Sequence, residues 1–298
     1  MEVSNPDKLI FPEAGVTKAG LVGHYQRVSA VMLPEIIGRP LTLQRFPNGV
    51  AKGGFMQKNA APYFPDFIER IVLPKVDGDT AYPAITNEEG LLYLANLGTV
   101  TFHIPSFRKD RLDAPDRLVF DLDPPEGALA LVRRAAAVLR TQLEDLGLSP
   151  LLMASGSKGY HLVLPIRPEH SFDRIAPWAQ AVAALAEKEH PDLFTIEFLI
   201  KNRAGLVFLD WMRNHWGATT VAPFSLRPRA KASVAAPLAW DELDRIAPDG
   251  VTWETVEDRL DIWGQTELIE LEPALVVVEA LVAKGTVELK TFDRFGRS

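Results

Sequence analysis

The chain has 298 residues, is 47% hydrophobic, contains no cysteine and carries a formal net charge of −7. That length is ample for one large core or two smaller ones, and the missing thiols exclude disulfides, zinc–thiolate sites and cysteine nucleophiles. No apolar run approaches a membrane span, and the polar start (Glu2, Asn5, Asp7, Lys8) predicts no signal peptide, so the expected compartment is the cytoplasm.

The first predicted element is a helix over 18–38. Thr17 is placed to cap it, and Leu21, His24, Tyr25, Val28 and Met32 recur at helical spacing. A strand over 41–46 and a glycine-bearing loop over 47–54 follow. Residues 67–76 and 80–85 alternate as strands do, 91–97 reads as a short helix, and 99–104 as another strand. These elements predict an N-terminal αβ lobe over 1–110, with a charged, proline-bounded connector at 105–115.

The next stretch is more regular. A strand over 117–122 leads to a helix over 127–147, whose stop is Gly147. Strands over 151–154 and 160–165, an alanine-rich helix over 175–189, and strands near 195–200 and 205–210 complete a β-α-β-β-α-β order. That order predicts a split βαβ, RRM-like lobe over 111–240. A helical and acidic segment over 241–298, with helices at 240–246 and 267–284, is expected to pack as a cap.

Chemistry concentrates in the second lobe. In Leu118-Val119-Phe120-Asp121-Leu122-Asp123 the period of two puts Asp121 and Asp123 on one face of a strand. Two like charges side by side are costly to bury unless cations compensate them. Asp210, ending the apolar run Leu206-Val207-Phe208-Leu209-Asp210-Trp211, would complete a site for hard divalent metals. An Asp-x-Asp at a strand end is also a common turn or capping signal. Between the two runs, Ser155-Gly156-Ser157-Lys158-Gly159-Tyr160-His161 offers backbone amides, an ammonium and an imidazole to an anion. It is not a Walker A loop, since no Ser or Thr follows the lysine directly; a plain hairpin turn is the alternative.

Charge is unevenly spread. Between 201 and 231 lie Lys201, Arg203, Arg213, Arg227, Arg229 and Lys231 against Asp210 alone, whereas acids prevail beyond 241. A basic working face with an acidic end-piece reconciles the negative sum with a polyanionic partner.

Taken in order, Phe120-Asp121-Leu122-Asp123-Pro124, Ser155 to His161, Arg203-Ala204-Gly205 with Phe208-Leu209-Asp210-Trp211, and Ala222-Pro223-Phe224-Ser225-Leu226-Arg227 closely resemble one family. It is the polymerase domain of bacterial ligase D, the end-joining branch of the archaeo-eukaryotic primase superfamily. Asn5-Pro6-Asp7-Lys8, Val16-Thr17-Lys18, the stretch from Gly38 to Gly49, and Leu94-Ala95-Asn96 also fit, so the likeness spans about residues 1–245.

The resemblance implies an α/β primase-polymerase fold in a single domain over 1–298. It implies a template-dependent nucleotidyltransferase that fills short gaps at double-strand-break ends during non-homologous end joining, with a preference for ribonucleotides. Asp121, Asp123 and Asp210 would be catalytic and hold two Mn²⁺ or Mg²⁺ ions. His103, Ser155, Lys158, His161, Arg213 and Arg227 would bind the NTP or dNTP, with Ser155 near the ribose. Asn5, Lys8 and Lys18 match a pocket for a downstream 5′-phosphate, Phe55 and Met56 a pair that stacks on the template, and Arg203 a basic residue for the site or template strand. Methionine at 56 departs from the family's second aromatic. The implied partners are DNA ends and gaps bearing a 5′-phosphate, with Ku and a separate ATP-dependent DNA ligase, and no membrane. The competing readings are a primase that starts chains de novo, a two-metal nuclease, and a non-catalytic bridging factor for DNA ends.

Overall fold

A computed structural model describes residues 2–74, 78–264 and 266–289. The chain opens with a small hairpin, β1 (Leu9–Phe11) against β2 (Val16–Thr17), and runs into α1 (Lys18–Ile36). Thr17 caps this helix as expected, its hydroxyl accepting from the Gly20 amide, and Leu21, His24, Tyr25, Val28 and Met32 form its buried face. The helix ends at Ile36, short of the predicted 38, and Pro34 lies inside its last turn.

The remaining N-terminal elements are β3 (Thr42–Arg45), β4 (Phe55–Gln57), β5 (Glu69–Leu73), β6 (Thr80–Ala84), α2 (Glu88–Asn96) and β7 (Thr99–Pro105). Asn87 caps α2, so that helix begins three residues before the predicted 91. The predicted strand over 67–76 shrinks to β5, and residues 75 and 76 lie outside the described residues.

The second lobe comprises β8 (Arg117–Asp123), α3 (Leu129–Asp145), β9 (Leu151–Ala154), β10 (Tyr160–Pro165), α4 (Phe172–Glu189), β11 (Phe194–Thr195) and β12 (Val207–Asp210). After these come β13 (Thr219–Val221), β14 (Ala236–Leu238) and α5 (Glu272–Ala283). Its six-stranded sheet has the order β11-β12-β8-β10-β9-β14. The four central strands are mutually antiparallel, the arrangement of a split βαβ unit, with β12 as its fourth strand.

Four further predicted elements change. The strand near 195–200 is only two residues long, and Phe198, Leu199 and Ile200 are exposed in a loop whose carbonyls at Glu197 and Phe198 accept from Arg203. The predicted helix at 240–246 is a single 3₁₀ turn over Trp240–Glu242, and α5 starts at Glu272 with Pro273 in its first turn. The predicted 127–147 helix is trimmed to α3, with Gly147 in the left-handed region just past its end.

The two lobes share one core. A second sheet, ordered β13-β7-β3-β4, takes its edge strand from between β12 and β14 of the six-stranded sheet, and one apolar cluster runs from Ile10 to Val287. A buried ion pair also crosses the connector: Arg39 grips Asp116 bidentately at 2.7 Å, and Arg108 adds a third contact at 2.8 Å. Among the described residues no helix is long and apolar enough to cross a membrane.

His24, on the buried face of α1, donates from Nε2 to the Phe224 carbonyl at 2.9 Å, in the segment that ends at Arg227. Burial, against the help of that bond, lowers its pKa from 6.5 to about 4. The unfolded chain therefore takes up a proton below about pH 6.5 that the folded chain refuses until about pH 4. Stability should be fully present above pH 6.5 and decline as pH falls toward 4, by about 3 kcal/mol from this residue. Denaturant midpoints of the wild type and His24→Gln across pH 4–7 measure it. Parallel pH profiles would exclude this contribution.

Candidate functional site

Strand alternation divides the six-stranded sheet into two faces. Leu118, Phe120 and Leu122 of β8 join the main core, with Val132, Ala135 and Leu139 of α3 and Trp178 and Val182 of α4. The opposite face carries Val119, Asp121 and Asp123. Tyr160, Leu162 and Leu164 of β10 likewise face the core, which leaves His161 beside Asp121. On β12 the core residues are Val207 and Leu209, and the site face holds Phe208 and Asp210.

Register then sets a row. Asp210 pairs with Asp121 across β12 and β8, and Asp121 pairs with His161 across β8 and β10. Directly opposed residues on antiparallel strands have Cβ atoms about 4.5–5.5 Å apart. Asp123 lies in the neighbouring row opposite Phe208. The three predicted carboxylates thus share one face, at the edge of a cavity of about 500 Å³.

The same cavity is lined by His103, Ser155, Lys158, His161, Arg203, Arg213 and Arg227, together with Met56. It also gathers residues that the sequence motifs did not single out: Ser157, Phe198, Phe208, Thr219, Thr220 and Arg229. Phe208 was recoverable, because it sits two residues before Asp210 on the same strand face. Arg229, whose Nη2 donates to Ser157 Oγ at 2.6 Å, was visible only as one charge in a basic stretch. The two threonines come from β13, which reaches the site only through its place in the second sheet.

The glycines of the loop have steric reasons. A Cβ on Gly159 would lie 1.7 Å from the Leu122 carbonyl oxygen, so this backbone can approach β8 so closely only without a side chain. Gly156 has φ +67°, and a Cβ there would lie 2.6 Å from the Arg227 stem. The turn therefore sets Ser155 and Arg227 side by side. Ser155 is buried, and its Oγ accepts from the Ser157 amide at 3.2 Å.

Guanidiniums hold the carboxylates. Arg203 Nη1 meets Asp123 Oδ2 at 2.9 Å and stacks 3.8 Å above the Phe208 ring. Arg213 reaches Asp210 Oδ2 at 3.0 Å and Asp121 Oδ2 at 3.4 Å, while His161 Nε2 lies 3.4 Å from Asp121 Oδ1. Burial raises the Asp210 carboxyl to about 6, with neighbouring Asp121 adding to the rise against the pull of Arg213. Burial also opposes ionisation of Asp121, but His161, Arg213 and Arg227 together hold it down at about 2. His103 is pushed down to about 3, by burial first and then by Arg227 and Arg213. As placed, no three His, Asp or Glu side chains among the described residues converge on a single ion position. The donor set nevertheless fits a hard divalent cation: three carboxylates on one face, one kept from ionising easily by burial and a like charge.

Buried donors point the same way for an anion. His161 Nδ1 and Arg227 Nε are buried and have no protein partner among the described residues. With Lys158 and Arg229 they line the same cavity as the carboxylates.

Of the predicted DNA contacts, Met56 and Arg203 line this cavity and the others lie elsewhere. Asn5 and Lys8 line a separate cavity of about 430 Å³ with Pro6 and Asp7. Lys18 Nζ donates to Ser4 Oγ at 2.6 Å, and its pKa is lowered by burial and by the nearby Lys8 ammonium. Phe55 is exposed and does not line the central cavity, unlike Met56; the Arg45 guanidinium sits 5.5 Å from its ring centre.

Comparison with known proteins gives the following. Residues 17–266 match the family model described as LigD, primase-polymerase domain. The multifunctional non-homologous end joining protein LigD of Mycolicibacterium smegmatis is 39% identical over 267 residues, covering 89% of this chain and 35% of that protein. The bifunctional non-homologous end joining protein LigD of Bacillus subtilis is 32% identical over 267 residues, covering 89% of this chain and 43% of that protein. The chain thus spans well under half the length of these relatives. Among solved structures, the polymerase domain from Mycobacterium tuberculosis ligase D in complex with DNA superposes with a TM-score of 0.83 at 35% identity, covering 93% of this chain and 98% of that one.

Proposed function

This chain belongs to the family of LigD primase-polymerase domains, and from that premise we propose that it is a template-dependent nucleotidyltransferase filling short gaps at broken DNA ends. We treat it as one primase-polymerase domain, with an N-terminal lobe, a catalytic lobe and an acidic end segment. The observation that carries the reading is the central cavity itself. It gathers three carboxylates with Lys158, His161, Arg227 and Arg229.

Asp121, Asp123 and Asp210 would hold Mn²⁺ or Mg²⁺, which when bound supplies activation of a hydroxyl nucleophile and neutralises phosphate charge. The protein's own groups do the rest. Lys158, Arg227 and Arg229 bind the triphosphate and orient its α-phosphorus toward a primer 3′-hydroxyl, with pyrophosphate as the leaving group. His161 fixes the Asp121 carboxylate through Nε2 and offers Nδ1 to a phosphate oxygen. Positioning by such preorganised donors is the main lever a protein has in phosphoryl transfer. Lys8 and Lys18 would hold the 5′-phosphate of the downstream strand. That pocket favours end joining over de novo priming, because a primase has no downstream strand to anchor. Ku and a separate ATP-dependent ligase are the partners this role calls for.

Sugar choice is assigned to Ser155. Its Oγ accepts one backbone amide, which leaves its own proton free for a ribose 2′-hydroxyl. Ser155→Ala should narrow the preference for NTPs over dNTPs by about tenfold, the equivalent of one hydrogen bond of about 1–1.5 kcal/mol. Single-nucleotide insertion kinetics with both sugars measure this. An unchanged ratio would move sugar selection to His103 or the ring-packing surface. The overall reading is tested by extension of a primer across a short gap with and without a downstream 5′-phosphate.

A further inference from the structure

A second cavity, of about 580 Å³, adjoins the central one and shares Ser157, Lys158 and Arg229 with it. Its remaining walls come from the link between β8 and α3, from residues 230–231 and from residues 247–249. Hydrogen bonds tie these walls together. Arg229 Nη2 donates to Ser157 Oγ at 2.6 Å, the Gly156 amide to the Pro248 carbonyl at 2.8 Å, and the Tyr160 hydroxyl to the Ile246 carbonyl at 2.6 Å. Three cations, Lys158, Arg229 and Lys231, line the cavity with two acids, Glu126 and Asp249. Lys158 makes no hydrogen bond or ion pair among the described residues. Lys231 meets Asp249 at 3.2 Å, but both side chains are exposed, so that pair holds the ammonium weakly. No side chain caps α3, whose first residue Leu129 lines the cavity, and the positive end of that helix adds a smaller contribution of the same sign.

We infer that this second cavity is a pyrophosphate site, which receives the leaving group of nucleotide transfer from Lys158 and Arg229 and holds it through Lys231 on its way to solvent. The inference rests on the nucleotidyltransferase reading given above. In that reaction the primer 3′-oxygen forms a bond to the α-phosphorus, and its proton passes to solvent. The bond from the α-phosphorus to the bridging oxygen breaks, and pyrophosphate departs with that electron pair. Because Lys158 and Arg229 line both cavities, the departing anion can change cavities without losing cationic contact. Met56, matched to the template strand, lines the central cavity and not the second. A DNA strand there repels a second polyanion, whereas the second cavity has a cationic excess. The Lys231 ammonium has three donors, and Asp249 occupies one of them, which leaves two for phosphate oxygens. Glu126 and Asp249 weaken the hold on an anion, as a route of release requires.

The test is equilibrium dialysis of radiolabelled inorganic pyrophosphate against the whole chain in Mg²⁺, with and without a saturating α,β-methylene ribonucleoside triphosphate. The wild type should bind two pyrophosphates alone, and one when the analogue fills the central cavity. Lys231→Glu reverses a charge at an exposed position and should weaken that remaining site at least about tenfold. Ala128→Glu brings a carboxylate to the same cavity from another element and should do likewise, so a folding defect in one variant leaves the other to decide. In single-nucleotide insertion, pyrophosphate should inhibit the wild type in a way that excess nucleotide does not overcome. Both variants should show purely competitive inhibition, with the nucleotide KM unchanged to within about twofold. Expulsion of all pyrophosphate by the analogue, or wild-type pyrophosphate binding by both variants, overturns the inference. A parallel loss of nucleotide affinity in both variants also overturns it, because the cavity then belongs to the triphosphate site. Insertion by the wild type separates this from failure of the underlying reading. If no nucleotide is transferred, the proposed function and the exit site both fall; if transfer is normal and the variants behave as the wild type, only the exit site falls.

Discussion

Asp123→Asn should lower gap-filling extension by at least about 10³-fold while leaving affinity for 5′-phosphorylated DNA nearly unchanged. The magnitude follows from the several kcal/mol of transition-state charge stabilisation that a bound metal supplies; about 4 kcal/mol corresponds to that loss. Asparagine is the informative substitution because of what surrounds the carboxylate. Asp123 is the most exposed of the three acids, at 45%, so its replacement disturbs little packing. Its Oδ2 accepts from Arg203 Nη1, and an amide oxygen can accept the same bond. Arg203 in turn holds the loop through the Glu197 and Phe198 carbonyls, so that scaffold persists. What disappears is the charge. Rapid-quench extension with Mn²⁺ and with Mg²⁺, beside a fluorescence-anisotropy measurement of DNA binding, reads both halves. Substantial extension by the folded variant would remove Asp123 from the mechanism, and a parallel loss of DNA binding would show that the substitution damaged more than the carboxylate site.

A downstream 5′-phosphate should tighten binding to gapped DNA at least about tenfold, and Lys8→Ala/Lys18→Ala should erase that difference. The structure brings the two lysines together by backbone geometry. β1 and β2 pair across the turn closed by the Gly15 amide on the Pro12 carbonyl, and the Lys18 amide donates to the Lys8 carbonyl at 2.8 Å. Lys8 lines the cavity at Asn5, Pro6 and Asp7, and the Lys18 ammonium lies close enough to feel its charge. Lys18 is 9% exposed, and burial with the charge of Lys8 disfavours its protonated form. A terminal phosphate, with nearly two charges and three acceptor oxygens, relieves that repulsion, which an internal diester does less well. Each charge-assisted contact contributes on the order of 1.5–3 kcal/mol, reduced where solvent reaches it, as it does at exposed Lys8. The double variant should also flatten the salt dependence of binding, and extension on DNA lacking a downstream strand should be much less affected. A wild type indifferent to the 5′-phosphate would favour the de novo priming reading instead.

What the sequence determined by itself was set by short-range rules. A period of two put Asp121 and Asp123 on one strand face, and the same rule, applied to the run ending at Asp210, separated Val207 and Leu209 from the site residues. Helical spacing and Thr17 located α1, and the glycines around Lys158 marked the place where backbone had to pass close to another strand. Each of these depends on a few consecutive residues, whose backbone sterics and side-chain periodicity are fixed before any distant partner arrives. Ordered motifs carried the family as well, because four of them in sequence leave few alternatives.

The tertiary structure decided everything that depends on which strand lies beside which. Only the register of β12, β8 and β10 sets Asp210, Asp121 and His161 in one row. A slip of one residue would turn Asp210 toward the core. Arg203 reads in sequence as a basic residue for the site or template strand and Arg213 as a nucleotide contact; the structure adds that both pair with the carboxylates themselves. No local pattern shows that, because a charge chooses its partner through space. The same reason explains the apolar run Phe198-Leu199-Ile200. Its composition predicts a strand, but Arg203 binds the Glu197 and Phe198 carbonyls, and the three side chains stay exposed, Phe198 lining the cavity. β13 likewise crosses to the other sheet and delivers Thr219 and Thr220 to the site wall. Identity of the acids and glycines was local information; the field around them arose from long-range pairing.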